Sequence, residues 1–506
     1  MKSSDERYSE LLSITQRAAM LASCGAVLSW DRETFMPPGG NEHRANQMSL
    51  IAGVTHEWAT SPRIGELLEA LSDTKFNTPD AEDRNANVRE IRRAYRRATC
   101  LPQRLVEELA HVTALAQQNW AEARKEQDFR KFQPWLEKIV RLKREEAEAV
   151  GYADEGEPYD ALLDEYEPDA TSSQVAIAFD HLRQEIVPLL NAIQNSERTA
   201  PTEILHRNYN AIEQEHLARE AAQQIGFDFH CGRLDKTTHP FCSGFGPGDC
   251  RLTTRYDESF FSGAFFGTLH EAGHGMYEQG LPRDSFGTAI GSAVSLGIHE
   301  SQSRLWENLV GRSLAFWQYF YPKTKSRFPD ALTETTLSDF HFAINAVAPS
   351  FIRVEADEVT YNLHIMLRFQ IERDLISGRL QPADVPSAWN DQFENDFGIR
   401  PSNDAEGCLQ DVHWSAGLFG YFPTYALGNM YASQLFDSAG RTLGNLDGLF
   451  RQGDFVPLLD WLRQNVHQHG QRYSAGDLIQ RVSGRPLSDE PLVRHLRNRF
   501  GTLYGV

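Results

Sequence analysis

The chain has 506 residues, 70 of them acidic and 50 basic, for a formal net charge of −20 at pH 7. Its 41% hydrophobic and 11% aromatic residues are enough for a substantial core and exclude a disordered chain. The acidic balance argues against nucleic acid as a partner, because phosphate binding calls for clustered Lys and Arg.

The N-terminal MKSSDERYSE has no apolar stretch behind it, so no secretory leader is expected. No run of about 18 apolar residues is visible, so no membrane-spanning helix is expected either. Six cysteines (Cys24, Cys100, Cys231, Cys242, Cys250 and Cys408) lie scattered without a CxxC pair. This usage predicts reduced thiols and a cytoplasmic protein. The spacing of Cys231, Cys242 and Cys250 fits no zinc knuckle.

Helical periodicity dominates. Ser3-Ser4-Asp5-Glu6 reads as a capping box, followed by an apolar stripe through Leu11, Leu12, Ile14, Ala18 and Leu21. Pro37-Pro38-Gly39-Gly40 ends that unit. Further helices are predicted over 80–98, 102–126 and 128–151, with Pro79 and Pro102 near two of their starts. Their charge runs, such as Arg92-Arg93 and Lys143-Arg144-Glu145-Glu146, read as solvated faces.

The rhythm breaks between Phe227 and Glu258, where Gly232, Pro240, Gly244, Gly246, Pro247 and Gly248 crowd together. The alternating Arg251–Tyr256 run reads as a strand, and Thr288–Leu296 as a weaker one. The prediction is a mainly α body with a small β-sheet near its middle, and chemistry beside that interruption. The whole chain, 1–506, is expected to be one catalytic unit. Its N-terminal helical part runs to about 225, its metal-site region spans about 226–430, and C-terminal helices fill about 431–506.

The chemistry is written in Leu269-His270-Glu271-Ala272-Gly273-His274, an HExxH motif. On a helix, positions i and i+4 share one face, so His270 and His274 can hold one metal ion. Glu271 is placed to take a proton from water activated by that ion. The bland alternative, three polar residues on a solvated helix, sits poorly with apolar flanks at Ala264, Phe265, Phe266 and Leu269. A third ligand is required. The metzincin extension fails at Tyr277 and Gly280, and Glu278 lies about 12 Å along the axis from His270. His299, Glu300 and Glu307 form the next cluster. Two histidines and a downstream glutamate make a zinc-peptidase set, and spacing leaves Glu300 and Glu307 both open.

Beside HExxH, five further segments appear in order: His239-Pro240-Phe241, Asp249-Cys250-Arg251-Leu252-Thr253, His299-Glu300-Ser301-Gln302, Ile352-Arg353-Val354-Glu355-Ala356-Asp357 and Gly407-Cys408-Leu409-Gln410-Asp411-Val412-His413-Trp414. With Trp30-Asp31 and Met36-Pro37-Pro38 near the start, this set resembles the carboxypeptidase Taq, or M32, metallocarboxypeptidase family over nearly the whole chain. The resemblance implies an elongated, mainly α fold with a long substrate groove and a small sheet beside the HExxH helix. It implies one divalent ion per chain, zinc or else cobalt, held by His270, His274 and Glu300 with Glu271 as general base. It also implies release of single amino acids from peptide C-termini, and a homodimer.

A free C-terminal carboxylate suits the planar fork of an arginine. Arg353 is the candidate by family pattern, with a buried pair to Asp357 as its structural alternative. Arg251 either braces Asp249 or lines the groove, and Asp249–Thr253 could bind substrate as an edge strand. Gln410 and His413, read at a helix end, are candidates for substrate binding or oxyanion support. His239 is a candidate orienter or groove residue. Tyr425 is a candidate hydroxyl donor, with aromatic packing as its alternative, and Trp414 reads as packing. The rival readings are an HExxH endopeptidase or dipeptidase, and an inactive metal-binding helical scaffold.

Overall fold

The computed structural model describes residues 2–506. The chain divides into two compact units, each assembled from three separate stretches. The first comprises the chain up to Thr99, Pro201–Ile344 and Leu435–Gly484; the second comprises Cys100–Ala200, Asn345–Gln434 and Arg485–Val506.

The first unit opens with a 31-residue helix, Ser4–Thr34. Its capping box forms as predicted: Glu6 N donates to Ser3 Oγ, and Ser3 N to Glu6 Oε2. Tyr8 and Leu11 bury against Ile64, Leu67, Leu68, Leu71 and Val88. One 18-residue window of this helix has a mean hydropathy of 1.4 with 11% of it buried, long and apolar enough on average to pass for a membrane-crossing helix although it holds no unbroken apolar run. Arg17 and the interspersed Ser, Thr and Gln residues hide the window from a search for uninterrupted apolar runs.

The glycine-rich interruption folds as a three-stranded sheet of β1 (Gly232–Lys236), β2 (Cys242–Gly246) and β3 (Asp249–Thr254) in the order β1-β3-β2. β1 runs parallel to β3, and β2 antiparallel with an irregularity between Gly244 and Gly246. β3 is therefore the central strand. Its backbone groups are shared between two neighbours, so Asp249–Thr253 does not present the free edge expected from the sequence.

The inner face of β3 buries Leu252 and Thr254, and the Phe261–Gly280 helix, which carries HExxH, packs against this strand. Gly275 makes the approach possible: a Cβ there would lie 2.6 Å from the Phe227 ring and 2.9 Å from Leu252. The N-terminal turns of that helix are covered by Phe316, Trp317 and Phe340, which pack around Phe261, Phe265 and Phe266. The apolar flanks of the motif thus mark an interior helix, as their composition predicts.

Thr288–Leu296 is not a strand. It makes a 3₁₀ turn at Ala289–Gly291, and Ser295 then caps the Leu296–Arg304 helix by accepting from Ile298 N. Capping competes with extension in this stretch and wins.

In the second unit the predicted helices appear as Gln103–Glu126 and Gln133–Val150. The latter starts five residues later than expected because Asp128 caps a separate 3₁₀ turn, Phe129–Lys131. The Thr360–Ser377 helix is buried on nearly every side. The Gly407–Trp414 segment lies in successive turns and not at a helix end. Its Gln410 side chain binds backbone carbonyls that a helix would have used itself.

Candidate metal centre

The Phe261–Gly280 and Leu296–Arg304 helices approach closely because residue 273 has no side chain. A Cβ on Gly273 would stand 2.5 Å from the Gln302 carbonyl oxygen and 2.6 Å from Ser303 Cα. That contact brings Glu300 onto the two histidines. Its Oε2 lies 3.7 Å from His270 Nε2 and 3.4 Å from His274 Nε2. Across one ion with bonds of about 2.0–2.2 Å, tetrahedral ligands sit roughly 3.3–3.6 Å apart, so these separations fit a single ion. Among the described residues, His270, His274 and Glu300 are the set of His, Cys, Asp and Glu side chains close enough to share one. Two imidazoles and one carboxylate favour a transition-series divalent ion over an all-oxygen site for Mg²⁺ or Ca²⁺.

Both rings are turned to present Nε2. His270 Nδ1 is 2.9 Å from Glu307 Oε2, and His274 Nδ1 is 3.1 Å from the His299 carbonyl. Each contact fixes the Nδ1–H tautomer and leaves the Nε2 lone pair facing Glu300. Glu307 thus stands behind His270 and not beside Glu300. It reaches there from a π-helical turn, Leu305–Val310, that extends the Leu296–Arg304 helix. The His299 ring stacks on His274 at 4.4 Å between centroids and is tied by Nε2 to Glu278 Oε1 at 3.0 Å. Glu278, too distant to bind the ion, supports a ligand through His299.

The electrostatics are those of a buried cage rich in carboxylates. Burial pushes Glu271 up to about 7, reinforced by the neighbouring Glu300 and offset in part by His270. Burial also opposes ionisation of Glu300, yet the Arg304 guanidinium and the two histidines hold it well below the usual carboxylate range. His270 works against its own burial, raised to about 9 by Glu300 and Glu307, while burial and the His299 ring bring His274 down to about 4. A proton held by the His270 imidazole in this way is what a divalent cation displaces on binding.

Arg304 was not anticipated from the sequence. Its Nε donates to Glu300 Oε1 at 2.7 Å, and its Nη1 lies 3.3 Å from Glu307 Oε2. The available signal was the i, i+4 spacing of Glu300 and Arg304.

The second unit gathers a different cluster. Arg353, 6% exposed, gives its Nε and Nη2 to Asp411 Oδ1 and its Nη1 to the Tyr361 hydroxyl. Arg368, fully buried, gives its Nε to Asp411 Oδ2. Asp357 is not the partner of Arg353: it accepts from Val359 N and Thr360 N at the start of the following helix. A 3₁₀ turn at Arg353–Glu355 intervenes, so the helical i, i+4 relationship never forms. Gln410 takes Arg353 N on its Oε1 and donates to the carbonyls of Phe351, Glu406 and Gly407. His413 Nε2 is 3.4 Å from the Tyr425 hydroxyl, and the Tyr425 ring centroid lies 5.0 Å from Arg353 Cζ. Burial lowers His413 to about 4, so its ring is neutral. Trp414 packs, and its Nε1 donates to the buried Glu372. Nothing local in the sequence announced Arg368, which is 43 residues from Asp411.

The remaining two candidates belong to the first unit. His239 is exposed on the connection from β1 to β2. Arg251 braces Asp249, with Nε and Nη2 each 2.8 Å from its carboxylate, and stacks between Trp30 and Phe245. All six cysteines are free thiols.

Residues 10–500 match the family described as carboxypeptidase Taq (M32) metallopeptidase. The chain is 47% identical over 505 residues to thermostable carboxypeptidase 1 of Thermus thermophilus, covering 98% of this chain and 99% of that one. It is 38% identical to carboxypeptidase 1 of Bacillus subtilis, covering 98% of both. Among solved structures, the M32 carboxypeptidase from Deinococcus radiodurans R1 superposes with a TM-score of 0.94 at 38% identity, covering 99% of this chain and all of that one.

Proposed function

The chain belongs to the carboxypeptidase Taq (M32) metallopeptidase family and is a metal-dependent carboxypeptidase, and from that premise we propose the roles of its residues. His270, His274 and Glu300 hold the divalent ion, and zinc is the ion their chemistry favours. When bound there, such an ion lowers the pKa of water and polarises a carbonyl. Glu271, buried beside the two histidines, accepts the proton of the attacking water and delivers it to the departing amine. Glu307 and the His299 carbonyl keep the two imidazoles turned toward the ion.

Arg353 receives the C-terminal carboxylate of the peptide. Two guanidinium groups share the single carboxylate of Asp411, so the cluster carries an excess positive charge that an incoming carboxylate would balance. Gln410 serves by fixing the Arg353 backbone. Tyr425 and His413, held together beside the guanidinium, contact the substrate. Arg251 and His239 fall to groove-lining roles. The whole of 1–506 acts as one catalytic unit, as a homodimer in the cytoplasm, a reading supported by the family resemblance and the reduced thiols.

The observation that carries the catalytic reading is the convergence of His270 Nε2, His274 Nε2 and Glu300 Oε2 within one ion's reach. The test is digestion of a peptide of known sequence by zinc-loaded enzyme. A ladder shortened one residue at a time from the C-terminus, blocked by a C-terminal amide, is expected. Internal cleavage, or His270→Ala protein that retains metal and activity, contradicts it.

A further inference from the structure

We propose that Arg304 is a positioning residue that keeps Glu300 a one-oxygen metal ligand. The inference rests on the reading of Glu300 as a ligand and deepens it.

A glutamate can bind a metal ion through one oxygen or both, and the choice sets how many positions remain for water and substrate. Here the two oxygens of Glu300 have different surroundings. Oε2 faces both histidines, at 3.7 and 3.4 Å from their Nε2 atoms. It also accepts from the Ser303 hydroxyl at 3.1 Å. Oε1 accepts from Arg304 Nε at 2.7 Å, the short distance of a charge-assisted bond. For both oxygens to reach the ion, the carboxylate would have to turn and give up that bond inside the protein, where Glu300 is 7% exposed. An unmade charged hydrogen bond is costly at such burial.

Arg304 is itself held in place. Its Nη1 lies 3.3 Å from Glu307 Oε2, the atom that also contacts His270 Nδ1, and its side chain is 14% exposed. The guanidinium therefore spans the carboxylate that binds the ion and the carboxylate that orients a histidine. Arg304 sits one turn after Glu300, at the junction of the α-helix with the π-helical turn that brings Glu307 back toward His270. A lysine in its place offers a point donor in place of this planar two-sided bridge.

The test is a metal-loaded crystal structure of the wild type together with the visible spectrum of cobalt-substituted Arg304→Met and Arg304→Lys. In the wild type, Glu300 Oε2 alone is expected on the ion, with Oε1 still bonded to Arg304. In R304M the freed oxygen is expected to join the ion, raising the coordination number and weakening the cobalt d–d bands. R304K, which keeps a donor, is expected to retain more of the wild-type band intensity. A two-oxygen Glu300 in the wild-type structure, or an R304M spectrum identical to wild type, overturns the proposal. If R304M does not fold, the wild-type structure still decides. Metal found away from His270 and His274 would instead refute the ligand assignment on which the proposal rests.

Discussion

Arg353 directs its Nε and its Nη2, at 3.0 and 2.7 Å, to the same oxygen of Asp411, and the other oxygen takes Arg368 Nε at 2.7 Å. One carboxylate thus answers two buried guanidinium groups. Removing one partner of a buried ion pair leaves the other charge uncompensated, at a cost of about 3–5 kcal/mol. Asp411→Asn is expected to lower unfolding stability by that order, measured by denaturant titration. An unchanged midpoint would show that the arginines are satisfied elsewhere.

The same relationship fixes a pH dependence. Burial alone would raise Asp411, but Arg368 and Arg353 hold it far below the usual carboxylate range. A group depressed in the folded state stabilises the fold above its unfolded pKa, near 4, and that contribution is lost as the pH falls below it. Thermal midpoints of the wild type should therefore drop more steeply between about pH 5 and 2 than those of D411N. Parallel curves would identify another group as the source.

Glu271 is buried next to two ligands but is assigned none of the metal's bonds. Glu271→Gln should bind metal as the wild type does and lose roughly 10²- to 10⁴-fold in turnover, the usual share of a general base. Metal analysis alongside amino-acid release checks both halves. A metal-free variant would place Glu271 among the ligands.

Gly273 is where two helices touch, with 2.5 Å between a hypothetical Cβ and the Gln302 carbonyl. Backbone cannot yield as a side-chain tip can, so Gly273→Ala must push the Glu300 helix outward. Overpacking of this kind costs about 1–3 kcal/mol. The expected signature is a loss of metal affinity larger than the fall in thermal stability suggests. Wild-type affinity in G273A would show that the ligand geometry does not depend on this contact.

Glu307 touches the proposed site through His270 and Arg304. Glu307→Ala should weaken metal binding by about 10- to 100-fold, the range for residues that orient a ligand. Glu307→Gln retains an accepting oxygen and should recover part of the loss, as read by competition with a chromogenic chelator. Equal affinities in all three proteins would reduce Glu307 to a packing residue.

Much of this protein is legible one turn at a time. His270, Glu271 and His274 are readable because helical periodicity places i and i+4 on one face, and the apolar residues before them announce an interior helix. The capping box at Ser3 and the mainly helical body follow from equally local rules. Strand order is not local: β3 reads as a strand, but its place between β1 and β2 depends on pairings that its own alternation cannot specify.

A short motif and the order of the segments around it therefore carry the function. What only the tertiary structure decided is which distant residues complete each charge. Glu300 and Glu307 look alike in sequence. One faces the histidines and the other stands behind His270, because a side-chain-free approach at Gly273 and a π-helical turn set their directions. Arg353 meets Asp411 in place of Asp357 because a short turn breaks the helical spacing before the nearer carboxylate. The net charge of −20 gave no hint of either arrangement. A charge count sums over the whole sequence, whereas buried ionic groups are matched singly, by packing.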